Sequence, residues 1–255
     1  FIQRIAHEVR TPLTVVMGYF NLLFNDPDIQ ALCQNQREIN NYMQFMQDGL
    51  ERMRILVEEI VMISRLGTGK VEVAITPIPP TDLLEAAIRP FSAALEQRQI
   101  ELNLYYDNLP TYIHGDADLL RLALINVIGN AIKYTPDEGE VSISLTQVRD
   151  NLLRIMIKDT GIGIDPDEQQ RIFETFYSAE NISLHSTSKT NFQGGGLGLG
   201  LTIAKAVIEL HSGHIYVESE GCDNERMPGS TFYIELPIDP QTQANRQNLY
   251  QSFNQ

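Results

Sequence analysis

The chain has 255 residues and a mass of 28.8 kDa, with 43% apolar and 20% charged side chains, which suits one large folded domain or two ordinary ones and excludes a disordered chain. Its net charge of −14 disfavours nucleic-acid binding, which needs a basic face. No apolar run approaches the ~18 residues of a membrane span, and the start Phe1-Ile2-Gln3-Arg4 carries no long apolar leader. The chain does not begin with Met, so a fragment of something longer is expected, and any membrane attachment would lie in segments outside it. Cys33 and Cys222 are the only cysteines. They make no disulfide scaffold, show no zinc-type spacing with the five His, and fit a reducing, cytoplasmic setting.

In chain order, the first 66 residues read as helix, turn, helix. Ile2, Ile5, Val9, Leu13, Val16, Phe20 and Leu23 form one apolar stripe on a helix of roughly 24 residues, about 36 Å long. Asn25-Asp26-Pro27-Asp28 ends it, and a turn is expected over residues 25–34. A second stripe runs through Met43, Met46, Leu50, Met53, Val57, Ile60 and Ser64 with heptad-like steps. Two such stripes are poorly buried by one hairpin. A dimeric four-helix bundle is the natural solution, with a monomeric hairpin lying on the rest of the chain as its alternative.

Residues 67–80 contain Pro77, Pro79 and Pro80 and read as a linker. Helices are then expected over Asp82–Gln97, Asp116–Lys133, Pro166–Phe173 and Leu199–Leu210. Strands are expected over Glu101–Tyr106, Glu140–Val148, Leu152–Lys158, His214–Ser219 and Ser230–Leu236. The fold class is therefore two domains: an all-α helical hairpin, then, over residues 81–238, an α/β sandwich with helices on one face of a mixed sheet. Residues 239–255, with eight Gln or Asn, read as a mobile tail. Residues 76–238 hold 11 basic and 23 acidic side chains, so an anionic ligand there would need a metal ion and local donors.

Four constellations carry chemistry. His7 lies about 200° around the first helix from Ile5 and so off the stripe. Glu8 follows it, and Thr11 stands one turn on, beside Pro12, which leaves the Glu8 carbonyl without its helical partner. A carboxylate holding one ring N–H would leave the other nitrogen free to attack; an ordinary surface His is the alternative. Asn126, Asn130 and Lys133 fall within about 60° on an otherwise apolar helix. They suit a polar ligand, the amides for Mg²⁺ and Lys133 for a phosphate, or else they bond neighbouring backbone. Asp159-Thr160-Gly161-Ile162-Gly163-Ile164 places a carboxylate at a strand end, able to accept from an exocyclic amine, with glycines that admit a flat ring. An aspartic protease would need a second such carboxylate motif, and none occurs. Finally Gly194-Gly195-Gly196-Leu197-Gly198-Leu199-Gly200 leads into a helix, as an anion site or a hinge; with the polar stretch 178–193 it reads as a lid. Neither a Walker A motif nor a full Rossmann fingerprint is present.

In this order and spacing these motifs resemble the boxes of sensor histidine kinases. Phe1 to Leu13 resembles the H box, Asn126 to Tyr134 the N box and Asp159 to Ile164 the first Gly box. Ile172 to Tyr177 resembles the F box and Gly194 to Leu201 the second Gly box. The resemblance implies a dimerisation and phosphoacceptor domain over residues 1–66 and a gyrase-type ATP-binding domain after the linker. It implies that His7 takes the γ-phosphoryl group of ATP, Glu8 activates it and Thr11 positions water in the reverse, phosphatase reaction. Asn130 would bind Mg²⁺, supported by Asn126. Lys133 would contact phosphate, Tyr134 the base or ribose, and Asp159 the adenine amine, with Gly161, Gly163 and Ile164 beside the ring. Phe173 and Phe176 would anchor the lid, and Gly194–Gly200 would cradle phosphates. A response-regulator aspartate would receive the phosphoryl group. Ala6, Thr175, Ser178 and Leu197 depart from common residues of these boxes, and the last three imply slow autokinase turnover. Two other classes compete: a gyrase-type ATPase acting as a conformational switch, against which His7-Glu8 speaks, and a non-catalytic dimeric scaffold, against which Asn130 and Asp159 speak.

Overall fold

The computed structural model describes residues 2–35, 37–67, 71–175, 177 and 198–239. The chain divides into two compact units, Phe1–Arg65 and Leu66–Gln255.

The first unit is helical: α1 (Ile2–Phe24), α2 (Pro27–Asn35) and α3 (Arg37–Gly67). The expected turn over 25–34 is instead mostly the helix α2. Its start is dictated locally, because Asp26 Oδ1 accepts the N–H groups of Asp28 (2.9 Å) and Ile29 (3.3 Å), and Pro27 opens the first turn where no donor is needed. The buried seam is Leu13, Phe20, Leu50 and Val57, with Met17, Phe24, Met43, Ile60 and Val61 packed against it. The Phe20 and Phe24 rings stack at 5.9 Å. The seam thus passes through Met17 and Phe24, while Val16 and Leu23 of the expected stripe are 52% and 54% exposed. Two helices bury only the narrow strip between them, so the flank of a wide stripe stays open.

The second unit is an α/β sandwich. A five-stranded sheet runs β2-β4-β5-β7-β6, from β2 (Glu101–Asp107), β4 (Glu140–Arg149), β5 (Leu152–Asp159), β6 (His214–Glu218) and β7 (Ser230–Pro237). β2 pairs parallel with β4, and the other neighbours are antiparallel. Alternation decides the faces: Val141, Ile143, Leu145, Leu153, Ile155, Ile157, Phe232, Ile234 and Leu236 are buried, and their sequence neighbours are not. The helices α6 (Ala117–Tyr134) and α7 (Gly200–Leu210) pack on each other and against β5 and β6 respectively.

Three differences from expectation have local causes. Part of the stretch read as linker is β1 (Thr76–Ile78), antiparallel to β3 (Ile113–Gly115). The helix expected over Asp82–Gln97 is broken into α4 (Pro80–Ile88), a 3-10 turn Arg89–Phe91 and α5 (Ser92–Gln97), because Pro90 lacks the donor that a continuous helix requires. Pro166–Phe173 holds only the 3-10 turn Arg171–Phe173: five polar residues, 167–171, precede its two buried side chains, Ile172 and Phe173, too little apolar surface to seat a helix.

Candidate functional site

Helix α6 is aimed by its N-terminus. Asp116 caps it, accepting from the Leu119 N–H (3.1 Å) on Oδ1 and from the Ala74 N–H (3.0 Å) on Oδ2. The Asp116 N–H in turn donates to Nε2 of the buried His211 (2.9 Å), whose Nδ1 faces the Val207 carbonyl at 2.8 Å. That pairing makes His211 a neutral ring protonated on Nδ1, tying the end of α7 to the start of α6. It gives His211 a structural role.

Leu120, Leu124, Val127, Ile128 and Ile132 bury one arc of α6, leaving Asn126 and Asn130 half-buried on another. The Asn126 Nδ2 donates to the Leu122 carbonyl (3.0 Å). Its Oδ1 faces Gly200, where a Cβ would come within 2.7 Å of it. Lys133 is 7% exposed; its Nζ donates to the Tyr134 hydroxyl (2.8 Å) and sits 4.3 Å from the centre of that ring.

Strand β5 ends in Asp159, which is 2% exposed. Its Oδ1 accepts the N–H groups of Gly161 (2.8 Å) and Ser230 (3.2 Å). Burial pushes its carboxyl up to about 6, against the opposing pull of those N–H groups and of the Ser230 hydroxyl. The first Gly box is then clamped on both sides. On one side, the Ile162 N–H donates to the Tyr134 carbonyl (3.3 Å), and a Cβ at Gly161 would lie 2.3 Å from that same oxygen. On the other, Gly163 has φ +78° beside the Gly221 carbonyl, and the Ile164 N–H donates to Ser219 Oγ (2.9 Å). Ser219 Oγ also donates to the Gly229 carbonyl (2.7 Å), and the Gly229 N–H donates to the Gly161 carbonyl (2.8 Å).

The F box and second Gly box meet at their inner ends. Phe173 is buried, and the Tyr177 hydroxyl donates to Glu168 Oε1 (2.9 Å) beneath the Arg171 guanidinium, 4.5 Å from its ring centre. Gly198, φ +70°, packs on the Tyr177 backbone, where a Cβ would come within 2.1 Å of the carbonyl oxygen. Leu199 is buried and Gly200 starts α7. Phe176, Gly194, Gly195, Gly196 and Leu197 lie outside the described residues. His7, Glu8 and Thr11 lie on α1.

The second unit therefore brings Asn126, Lys133, Tyr134, Asp159, Gly161, Gly163, Ile164 and Gly200 onto three segments, of which the first Gly box is hydrogen-bonded to the end of α6 and the start of α7 packs against Asn126. The sequence reading passed over Ser219 and Arg98, whose roles depend on partners 10 to 55 and 34 to 39 residues away. Among the described residues no cluster of three or more His, Cys, Asp or Glu could hold a metal ion. A metal here would instead be a hard ion taking amide and phosphate oxygens.

Comparison with known proteins gives the family. Residues 1–69 match the family model "His Kinase A (phospho-acceptor) domain", and residues 115–240 match "Histidine kinase-, DNA gyrase B-, and HSP90-like ATPase". The circadian input-output histidine kinase CikA of Synechococcus elongatus is 31% identical over 239 residues, 93% of this chain and 29% of CikA. The chain spans 25% to 36% of the length of the curated relatives it matches. The crystal structure of full-length ShkA in complex with AMPPNP superposes with a TM-score of 0.74 at 28% identity, covering 92% of this chain and 45% of ShkA. ThkA in complex with the response regulator protein TrrA shares the fold, with a TM-score of 0.60 at 22% identity over 94% of this chain and 61% of that one. With both domains present in order over most of its length, the chain belongs to the sensor histidine kinase family.

Proposed function

We propose that this chain is the catalytic core of an ATP-dependent protein-histidine kinase that phosphorylates itself on His7 and passes the phosphoryl group to an aspartate of a response regulator. The observation that carries the reading is Asp159: a carboxylate buried at a strand end, hydrogen-bonded to the Gly box beside it, in a chain whose first domain is a phospho-acceptor. A buried acid raised to about 6 gains when a ligand donates to it, and the exocyclic amine of adenine is such a donor. A Cβ at Gly161 would meet the Tyr134 carbonyl and one at Gly163 the Gly221 carbonyl, which keeps both positions glycine; the flat ring would lie against this bare backbone, with Ile164 and Tyr134 beside it.

Asn130, supported by Asn126, would hold Mg²⁺, which supplies charge neutralisation between phosphate oxygens on a strongly acidic domain. Lys133 would turn from Tyr134 to a phosphate, and the start of α7 at Gly200, with Gly194 to Leu199 before it, would present backbone N–H groups to the phosphates. Phe173 and Phe176 would anchor the connection between them.

In the transfer, Glu8 holds one ring N–H of His7 and the other nitrogen attacks the γ-phosphorus. The bond to the bridging oxygen breaks, ADP leaves, and a phosphoramidate forms. Attack by a regulator's carboxylate oxygen then breaks the N–P bond and restores His7. Thr11 would order the water that hydrolyses the resulting acyl phosphate. TrrA on ThkA supports a response regulator as partner. Exposed Val16, Tyr19 and Leu23 on α1 and Met46 and Met53 on α3 support a homodimer through residues 1–66. No described helix is long and apolar enough to cross a membrane. We assign this portion to the cytoplasm, where ATP and regulators are found, with any membrane anchor in other segments.

The test is incubation with γ-labelled ATP and Mg²⁺, alongside His7→Gln. Acid-labile, base-stable label in the parent and none in the variant is expected; full label in His7→Gln overturns the assignment.

A further inference from the structure

Arg98 follows α5 and lies outside the segment matched by the ATPase family model, yet its 7% exposed side chain reaches the end of α6. Nη1 donates to the Ile132 carbonyl (2.7 Å), Nη2 to the Thr135 carbonyl, and Nε to Asp137 Oδ1 (2.8 Å). The Arg98 carbonyl accepts the Glu138 N–H (3.0 Å). One residue thus grips the chain at 132, 135, 137 and 138. A helix end leaves carbonyls unpaired and carries partial negative charge, and a planar guanidinium answers both with a fixed fork of donors. Between the gripped points lie Lys133 and Tyr134. The Tyr134 carbonyl is the oxygen that accepts from Ile162 and against which Gly161 rests.

We propose that Arg98 is a positioning residue for nucleotide binding. By fixing the end of α6 it sets Lys133 and Tyr134, and through the Tyr134 carbonyl it sets the first Gly box. The inference rests on the reading of this site as the Mg-ATP site. The rival role is a cap that stabilises the fold and leaves binding untouched. Asp137, 69% exposed, gives the control: Asp137→Asn removes the ion pair and leaves both carbonyl bonds.

The experiment measures Mg-ATP affinity by calorimetry on the whole chain, well below each variant's thermal midpoint, with amide exchange at Ile162 followed in parallel. Arg98→Met should lose about tenfold in affinity, and Arg98→Lys a few fold, because one ammonium cannot span the same acceptors. Exchange at Ile162 should quicken in both. Asp137→Asn should stay within about twofold of the parent on the same scale. Where Arg98→Met does not fold, Arg98→Lys decides by the same criterion. A folded Arg98 variant with a lowered midpoint, parental affinity and parental exchange at Ile162 overturns the proposal alone. A parent chain that does not bind Mg-ATP overturns the reading of the site, and the proposal with it.

Discussion

Gly200, the first residue of α7, lies against the Asn126 amide of α6, so close that a Cβ there would come within 2.7 Å of Oδ1 and 3.3 Å of Cγ. The two motifs therefore share one steric constraint. Asn126 is already fixed through its Nδ2 bond to Leu122, so an added methyl must turn the amide away. Ala is otherwise a better helix residue than Gly by roughly 0.5–1 kcal/mol. Gly200→Ala should accordingly leave the thermal midpoint close to that of the parent while weakening Mg-ATP binding by about 3–10-fold. Calorimetric unfolding and titration on the same preparation check both halves. Unchanged affinity would show that Asn126 can yield without cost to the site.

Asp159 predicts a pH dependence with a definite sign. Its folded carboxyl stands at about 6, above the ordinary 3.8, so the fold favours the protonated form. That contribution to stability is present below pH 3.8 and is lost as pH rises through about 6. Asp159→Asn keeps an oxygen to accept from Gly161 and Ser230 and carries no charge to desolvate. It should be more stable than the parent at pH 7.5 by on the order of 1–3 kcal/mol, with the difference gone near pH 4. Binding should move the other way. Adenosine, which has no phosphate to titrate, should bind the parent best above pH 7 and progressively less tightly below about 6. Asp159→Asn should bind at least about tenfold more weakly with a flat profile. Comparable GTP and ATP affinity in the parent would contradict the assignment to adenine.

What could be read in the sequence, and what could not, follows the range of each interaction. The period-two alternation of β4, β5 and β7 and the apolar arc of α6 come from side chains that must face one core, so their ends fall within a residue or two of expectation. Asp159 was legible because its partner Gly161 is two residues away. Ser219 and Arg98 were not, because a single hydroxyl and a single guanidinium act on segments brought near only by the sheet and by α6. The seam of the helical unit shows a different limit. Val16 and Met17 are both apolar neighbours, and only the partner helix decides that Met17 lies at the seam.

The metal assignment rests on charge. Residues 76–238 carry 23 acidic against 11 basic side chains, so a nucleotide polyphosphate meets net repulsion unless a cation intervenes. ATP affinity should therefore collapse when Mg²⁺ is chelated. Asn130→Asp keeps an oxygen ligand and adds a negative charge, and it should weaken Mg-ATP binding by about tenfold or more. Titrations of both proteins with and without Mg²⁺ decide this. Equal ATP affinity under the two conditions would remove the metal from the site.

Thr11 separates the two activities proposed for α1. It stands at i+4 from His7, in the turn that Pro12 deprives of a backbone donor. From there it can order a water beside a regulator's acyl phosphate, whereas attack on ATP needs His7, Glu8 and the bound nucleotide. The competing role for a helical Thr is to bond a carbonyl one turn back, as Thr14 Oγ1 does to the Arg10 carbonyl at 2.9 Å. Under that role Thr11→Ala would loosen the helix slightly and move both rates together. Under the proposed one, autophosphorylation should stay within about threefold while dephosphorylation of the regulator falls by about 10²-fold, the usual scale for losing a group that positions a reactant. Both rates are measured side by side on one Thr11→Ala preparation. A phosphatase rate that holds, or that drops only in step with the kinase rate, removes Thr11 from the chemistry and leaves it a helix residue.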